Sequence, residues 1–443
     1  RHRRVRIGVR VSMRALLPEA SAELVGPSWL RARRAEAVRR LESMAPPMAD
    51  GSEVWRYSPI DRFDLDAYRL VGPAPEAPLE EAHALADEFG RGPRVIVHNG
   101  GVVAVDRRGL PDSVTLGAGS ALAHAPEELG ALIGRGDYFV SLNEGYAGDL
   151  VSVDVPARLT LDEPIVIVHW CDSATFDGPA PAAFLRTLVH LGEDAEARVI
   201  EVIAGPTGDG RSLVIPVGEL AVDDRARLAY VMVQDLGEGA WHLARCAATV
   251  GRDATLRSFT AGLGGAYDRY RFDAAAAGQG GSTEVTTVYL GSGDQIHDVR
   301  TLQDHVAPRT TSDLLCKGAV AERSRSIYTG LIKVRRGASR SDALQTNHNL
   351  VLDATAHADS VPNLDIEEND VRCSHASSVG PVGEDERYYL ESRGLSPDQA
   401  ERLIVLGFFD DIVERAPVPG AAAPLRKRIG ERLAGLLGRG GAP

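Results

Sequence analysis

Between about residues 150 and 380 the chain carries short β-branched and aliphatic runs with almost no helical periodicity. Pro164–Trp170, Leu185–Leu191, Arg198–Ala204, Leu213–Val217, Leu228–Val233, Thr283–Leu290, Ile327–Val334 and Leu350–Leu352 follow one another, separated by Gly, Asp and polar turns. Such runs bounded by turn formers read as strands. Strands without alternating helices exclude a doubly wound sheet. A sandwich, a propeller or a parallel β-helix remains. No blade repeat with a Trp-Asp signature is present, which counts against a propeller. A clean hexapeptide repeat is also missing, so periodicity alone does not establish a β-helix.

The flanks have a different texture. Residues 19–43 read as a helix, with Ser21 as a cap and Trp29, Leu30, Ala37, Val38 and Leu41 on its apolar face. Residues 44–80 read as a linker, with a second helix near Leu79–Phe89. Arg94–Asp106 reads as a hairpin around Asn99-Gly100, and Pro126–Ile133 as a short helix. In the tail, Ser396-Pro397-Asp398-Gln399 resembles a helix start with Pro at the first position. Ala400, Leu403, Ile404 and Gly407 fit one face of that helix. Pro417 and Pro419 interrupt, and Leu425–Leu437 is amphipathic and basic at its start. That last segment fits a partner-binding or self-packing helix, with a membrane surface as the alternative. The expected organisation is an N-terminal helical or α+β region (1–149), a β core (150–383) and a C-terminal helical domain (384–443).

Composition removes several function classes. The net charge of −13 argues against nucleic-acid binding. No run of about 18 apolar residues suggests a membrane span. The four cysteines, Cys171, Cys246, Cys316 and Cys373, form no Cys-x-x-Cys pair, which suggests a reducing compartment such as the cytoplasm. Cys171, Cys246 and Cys316 sit in apolar runs and read as buried. Arg1–Arg6 is a basic arm without an apolar segment behind it. There is no Walker A motif, so no nucleotide is expected on this chain. Gly117-Ala118-Gly119 lacks the third glycine of a dinucleotide fingerprint. Neither His-Glu-x-x-His nor Gly-x-Ser-x-Gly occurs.

The densest chemistry lies in Asn369–Gly394. Cys373 and His375 stand two apart just past a β-like segment, so both point to one face of a strand. A thiol beside an imidazole suits iron or zinc. Two ligands do not close a metal site, so others must come from elsewhere or from another chain. The same spacing fits a buried thiol with a hydrogen-bonded histidine beside it. His297, His305, His348 and His357 are further candidate ligands by type, each also readable as structural. Asp365 and Glu367 alternate with Leu364 and Ile366, as in a half-exposed strand. Clustered carboxylates on a β-helix also fit a carbohydrate-active enzyme acting on acidic polysaccharide, which is the rival function.

Val371–Gly380, Tyr389-Leu-Glu-Ser-Arg-Gly394 and Leu406-Gly-Phe-Phe409 resemble the C-terminal part of the SufB/SufD family, which assembles iron–sulfur clusters. Glu53-Val-Trp-Arg-Tyr-Ser-Pro59, Gly264-Gly265 with Arg269, His297-Asp298, Asp304-His305, Lys317-Gly318 and Asp342–Asn347 add matches in order. The resemblance implies an irregular right-handed parallel β-helix flanked by helical termini. It implies a non-catalytic scaffold, one of two paralogues that pair through their β-helices and jointly hold a separate ATPase, SufC. Glu53–Pro59, Arg372-Cys-Ser-His375 and the absence of cysteine from Thr346–Asn349 are most like the SufD branch, with a SufB-like chain as partner. A homodimer is the alternative assembly. By resemblance His375 takes part in forming a transient iron–sulfur cluster at the heterodimer interface. Cys373 is an accompanying ligand, and the partner supplies the essential thiolate. The helices at 396–415 are expected to dock the ATPase, with Phe408 and Phe409 as anchors or core. Truncation after Gly394 is then expected to remove the ATPase and leave the β-helix folded.

Overall fold

A computed structural model describes residues 14–47, 54–72, 79–134, 137–174 and 178–439. The basic arm and Glu53 lie outside them. The N-terminal part runs through β1 (Arg14–Ala15), α1 (Pro18–Ala22), α2 (Ser28–Leu41), β2 (Tyr68–Leu70), α3 (Glu80–Phe89), β3 (Arg94–His98), β4 (Gly101–Asp106), β5 (Thr115–Ala118) and α4 (Tyr138–Tyr146). Next come β6 (Val151–Val155), β7 (Ile165–Trp170), β8 (Ala180–Leu191), β9 (Glu196–Ala204), β10 (Ser212–Val222), β11 (Arg227–Asp235), β12 (Ala240–Val250) and β13 (Thr255–Gly262). They are followed by β14 (Tyr267–Ala276), β15 (Ser282–Gly291), β16 (Ile296–His305), β17 (Thr311–Val320), β18 (Arg325–Val334), β19 (Asp342–Val351), β20 (His357–Ile366) and β21 (Arg372–Gly380). Helices α5 (Glu384–Ser392), α6 (Pro397–Val413) and α7 (Ala422–Arg439) close the chain.

Even-numbered strands from β6 to β20 stack in parallel in one sheet, and odd-numbered strands from β7 to β21 in a second. The chain therefore winds as a parallel β-solenoid of about seven turns. Trp241 lies beside Tyr267, and Val151 beside Thr187, so successive coils advance by 26 to 36 residues. This variable length conceals the repeat from a search for a fixed period. The polar or alanine-rich strands β12, β14, β16 and β20 escape a search for β-branched runs for a related reason. Only one face of each needs apolar residues.

One corner of every coil has the same backbone. Arg158, Asp194, Arg225, Asp253, Gly280, Arg309 and Arg340 adopt φ between 54° and 76°. Each N–H donates to a carbonyl in the next coil: Glu193, Asp224, Arg252, Gln279, Pro308, Ser339 and Asp370 respectively. A buried small residue follows at most of these corners, for example Ala195, Ala226, Ala254 and Ser341. The left-handed conformation reverses the chain, and the small residue lets the corners stack.

Inside the coils, Val199, Leu228, Leu256, Phe272, Leu314 and their neighbours form one continuous core. Outside, α1, α2, α4 and the stretch from Trp55 to Leu70 cover the even-strand sheet through Ala20, Val38, Phe139, Tyr68 and Phe184. Residues 55–70, within the segment expected as a linker, are thus part of the wall. Ser21 does not cap a helix; it lies inside α1 and its hydroxyl donates to the Gly145 carbonyl at 2.6 Å. Pro126–Ile133 forms turns and no helix. The Gly130 and Leu132 N–H groups there donate to the buried Glu219 carboxylate instead of to a helical ladder.

The odd-strand sheet is covered by α3, α6 and α7. Val405, Phe409, Ile412, Leu425, Ile429 and Leu433 share one core with Ile96, Val231 and Val288. Ser396 caps α6 in a capping box with Gln399 and Pro397 at the first position, as expected. Its buried face differs from the expected one: Ala400 is buried, but Leu403 is exposed. Phe409 belongs to this core and is buried. In α7, Arg428 reaches Asp235 at 2.5 Å and Glu88 at 2.7 Å, and Arg432 reaches Asp235 at 2.6 Å. Its cations hold it to the solenoid, so α7 is a self-packing helix. No helix among the described residues is long and apolar enough to cross a membrane.

Two outcomes follow from this packing. A Cβ added at Gly318 would lie 1.9 Å from the Tyr289 ring, which crosses Gly318 to reach Asn349. Gly318→Ala should destabilise by at least about 1–3 kcal/mol, read as a fall in melting temperature. Truncation after Gly394 would bare the face now covered by Val405, Phe409, Ile412, Leu425 and Ile429. The truncated chain should aggregate or bind a hydrophobic dye, unlike the intact chain, by light scattering and dye fluorescence.

Candidate functional site

The coils end without a cap. β20 pairs only with β18, and β21 only with β19, so each has one free edge among the described strands. The covering helices lie on the side of the solenoid, not across this end. Register shows which side chains face the opening. Leu364 and Ile366 lie beside Ile332 and Val334, and Cys373 beside Ala343. Ile332, Val334 and Ala343 form an inner cluster against which Cys373 packs. His375 lies beside the buried Gln345. Cys373, His375 and Ser377 therefore sit on the inward face of β21, and Leu364 and Ile366 on the inward face of β20. Ser377 Oγ donates to Ser360 Oγ at 2.7 Å and joins the two strands.

Because no coil follows, these inward residues are open to solvent. His375 is exposed, Cys373 is half-buried, and Leu364, Ile366 and Val379 are 41–46% exposed. The alternation of Leu364 and Ile366 with acidic residues indicates a strand, but its apolar side is the open one. Asp365 points the other way and is held by Lys333 at 2.9 Å. Burial first, then the Asp342 carboxylate, pushes the Cys373 thiol above its ordinary range.

The other histidines have internal tasks. His297 and His242 flank Asp268, with Nδ1 atoms 3.0 and 2.7 Å from its two carboxylate oxygens. Burial opposes the charge on Asp268, but these two partners hold its carboxyl well below the usual range. His305 bonds Thr310 at 2.7 Å and Ser312 at 2.8 Å through its two nitrogens, and burial lowers it to about 4. His348 bonds Ser378, and His357 lies 3.2 Å from Asp359. Among the described residues no group of three His, Cys, Asp or Glu side chains could hold a metal ion. Cys373 and His375 therefore stand as two candidate donors without companions among the described residues. The family-like residues Trp55 and Arg269 meet as a stacked pair, 3.9 Å from guanidinium to ring centroid, and Arg269 binds Asp298. They brace the N-terminal wall.

A second surface lies between α5, α6 and the end of β19. A groove of about 730 Å³ is lined by Leu350, Tyr389, Leu390, Leu403, Ile404 and Phe408, with Asp385 and Glu386 on its rim. Tyr388, Tyr389 and Leu403 are 74%, 56% and 49% exposed. Because α6 turns Phe409 inward, Leu403 faces outward beside Tyr389, a pairing that helical spacing alone does not reveal.

Cys171, Cys246 and Cys316 are buried, and burial raises all three thiols, that of Cys316 to about 12. In the native chain a thiol reagent should modify Cys373 alone, and all four cysteines after denaturation. Because burial and the Asp342 carboxylate hold the Cys373 thiol above its ordinary range, its rate should climb roughly tenfold per pH unit through neutral and mildly alkaline pH. Quantitative alkylation with mass spectrometry checks both.

A sequence model of the SUF system FeS cluster assembly SufBD core domain matches residues 174–408, which span the solenoid from β8 to α6. A SufBD family iron–sulfur cluster assembly protein of Mycobacterium tuberculosis is 32% identical over 353 residues, covering 74% of this chain and 85% of that protein. The iron–sulfur cluster assembly protein SufD of Escherichia coli is 26% identical over 386 residues, 86% of this chain and 88% of that protein. SufD of Bacillus subtilis is 24% identical over 423 residues, 90% and 93% respectively. With the β-solenoid and its family-like motifs in place, the chain belongs to the SufB/SufD family of iron–sulfur cluster assembly proteins.

Proposed function

We propose that this chain is a non-catalytic scaffold subunit that pairs end-on with a SufB-like paralogue and carries a SufC-like ATPase. The observation that carries the reading is the open last coil, where two free strand edges frame the donors His375 and Cys373. A free edge is a template for a strand of another chain, and Leu364, Ile366 and Val379 supply apolar contact beside it. A homodimer through the same strands is the alternative assembly.

The incomplete donor set fits a cluster handled as cargo. Iron–sulfur clusters need mostly thiolates, and histidine ligation alters their potential. One half-buried thiol and one imidazole on this chain leave the remaining ligands to the partner. A site divided between chains opens when the chains separate, which suits a scaffold that releases its product. The groove on α5 and α6 suits the ATPase: exposed tyrosines are frequent anchors at interfaces, and Asp385 and Glu386 favour a basic rim on the partner.

His375→Ala should leave the heterodimer assembled and its melting temperature nearly unchanged. The side chain is exposed and has no hydrogen-bond partner among the described residues, and such substitutions cost within about 0.5 kcal/mol. Iron and acid-labile sulfide in the reconstituted complex should fall to a small fraction of wild type. Cys373→Ala should lower them less. Full loading of a stable His375→Ala complex would remove His375 from the site.

A further inference from the structure

Lys317 is a lysine in an unusual place. It projects from the outer face of β17, in the covered sheet, and is only 8% exposed. Its ammonium donates to both carboxylate oxygens of Asp411, at 2.7 and 2.8 Å, and to the Phe408 carbonyl at 3.1 Å. It also lies 4.6 Å from the centroid of the Phe408 ring. All three groups belong to α6. Lys317 stands beside His348 in the β17–β19 register, and His348 beside Ser378 in the β19–β21 register. His348 Nδ1 lies 2.5 Å from Ser378 Oγ. Ser378 is on the strand that carries Cys373 and His375.

We infer that Lys317 is a positioning residue: it seats α6 for the ATPase subunit and, through His348 and Ser378, ties that helix to the cluster-bearing strand. The inference rests on the groove being the ATPase seat. Val405, Phe409, Ile412 and Val413 bind α6 to the sheet through contacts that tolerate sliding and rotation. Burying an ammonium is costly, and an apolar residue would pack there without that cost. What the lysine adds is direction. It fixes one carbonyl and one carboxylate of α6 in a single pose, and in that pose Phe408 forms a wall of the groove. The three register-aligned side chains then run from beneath that wall to the free edge of the solenoid.

The test uses the full chain, as wild type, Lys317→Met, Asp411→Asn and the double variant, with purified SufC-type ATPase. Each single variant should weaken binding by about tenfold or more, with the double no weaker than either single. The melting temperature of Lys317→Met should stay within about 2 °C of wild type, whereas Asp411→Asn, which leaves the ammonium without its carboxylate, should melt lower. Hydrogen exchange should show β21 amides responding to ATPase binding in wild type and no longer in the variants. Asp411 has a 65% exposed side chain, so Asp411→Asn decides the question alone if Lys317→Met does not fold. Unchanged affinity in a folded variant, or affinity loss in Lys317→Met that follows lost stability, overturns the positioning role. Weakened binding with the β21 response intact overturns the tie to the edge strand. A wild-type chain that binds no ATPase at all removes the docking reading itself, and this inference with it.

Discussion

Seven backbone N–H groups at one corner of the solenoid hold the coils in step. Each belongs to a residue with positive φ and donates to a carbonyl of the following coil. For the non-glycine corners the left-handed conformation costs on the order of 1 kcal/mol. The hydrogen bond recovers about as much, net of water. The corners are therefore close to neutral in energy and strong in geometry. They fix where one sheet ends and the other begins, and with that which side chains face inward. A slip of one residue would send Leu228, Tyr230 and Met232 outward and turn Arg227 and Ala229 into the core.

The same stacking explains where the protein is unfinished. Each coil satisfies the edge of the one before it, so the last coil has nothing to satisfy its own. At the N-terminal end the first strand of each sheet is paired on both sides, β6 by β5 and β8 and β7 by β3 and β9, whereas at the other end α5 to α7 fold back along the side. Cys373 and His375 are placed on the inward face of that final coil. Had one more coil followed, both would be buried like Ala343 and Gln345 behind them. Their accessibility is a property of position in the stack, not of residue type.

The interior of the solenoid becomes more polar toward this end. Val199, Leu228 and Leu256 give way to Thr301, Tyr328, Gln345 and Asn347. Polar side chains such as the His242–Asp268–His297 group tie neighbouring coils together, because each residue lies one strand from the next. Such contacts are directional where aliphatic packing is not, and they help to define the order of the later, less apolar coils.

Much of the architecture is legible in the residues. Short β-branched runs without helical period indicate a long β unit, Asn99-Gly100 marks its hairpin, and Ser396-Pro397 marks the start of α6. These are local signals, set by backbone sterics and hydrogen bonding within a few residues. The motif resemblance leads to the β-helix; spacing alone cannot, because coils of 26 to 36 residues hide their period. The sequence pairs Cys373 with His375 on one face of a strand, since alternation is fixed by the pleat. Tertiary structure alone decides the rest. It makes Phe409 core and Leu403 surface, and turns the supposed linker around Trp55 into wall. It also gives His305 two internal partners, leaves His375 open, and brings Lys317 to Asp411 across more than ninety residues. Each of these depends on which coil, helix or edge lies beside a residue, and that is settled only when distant segments stack.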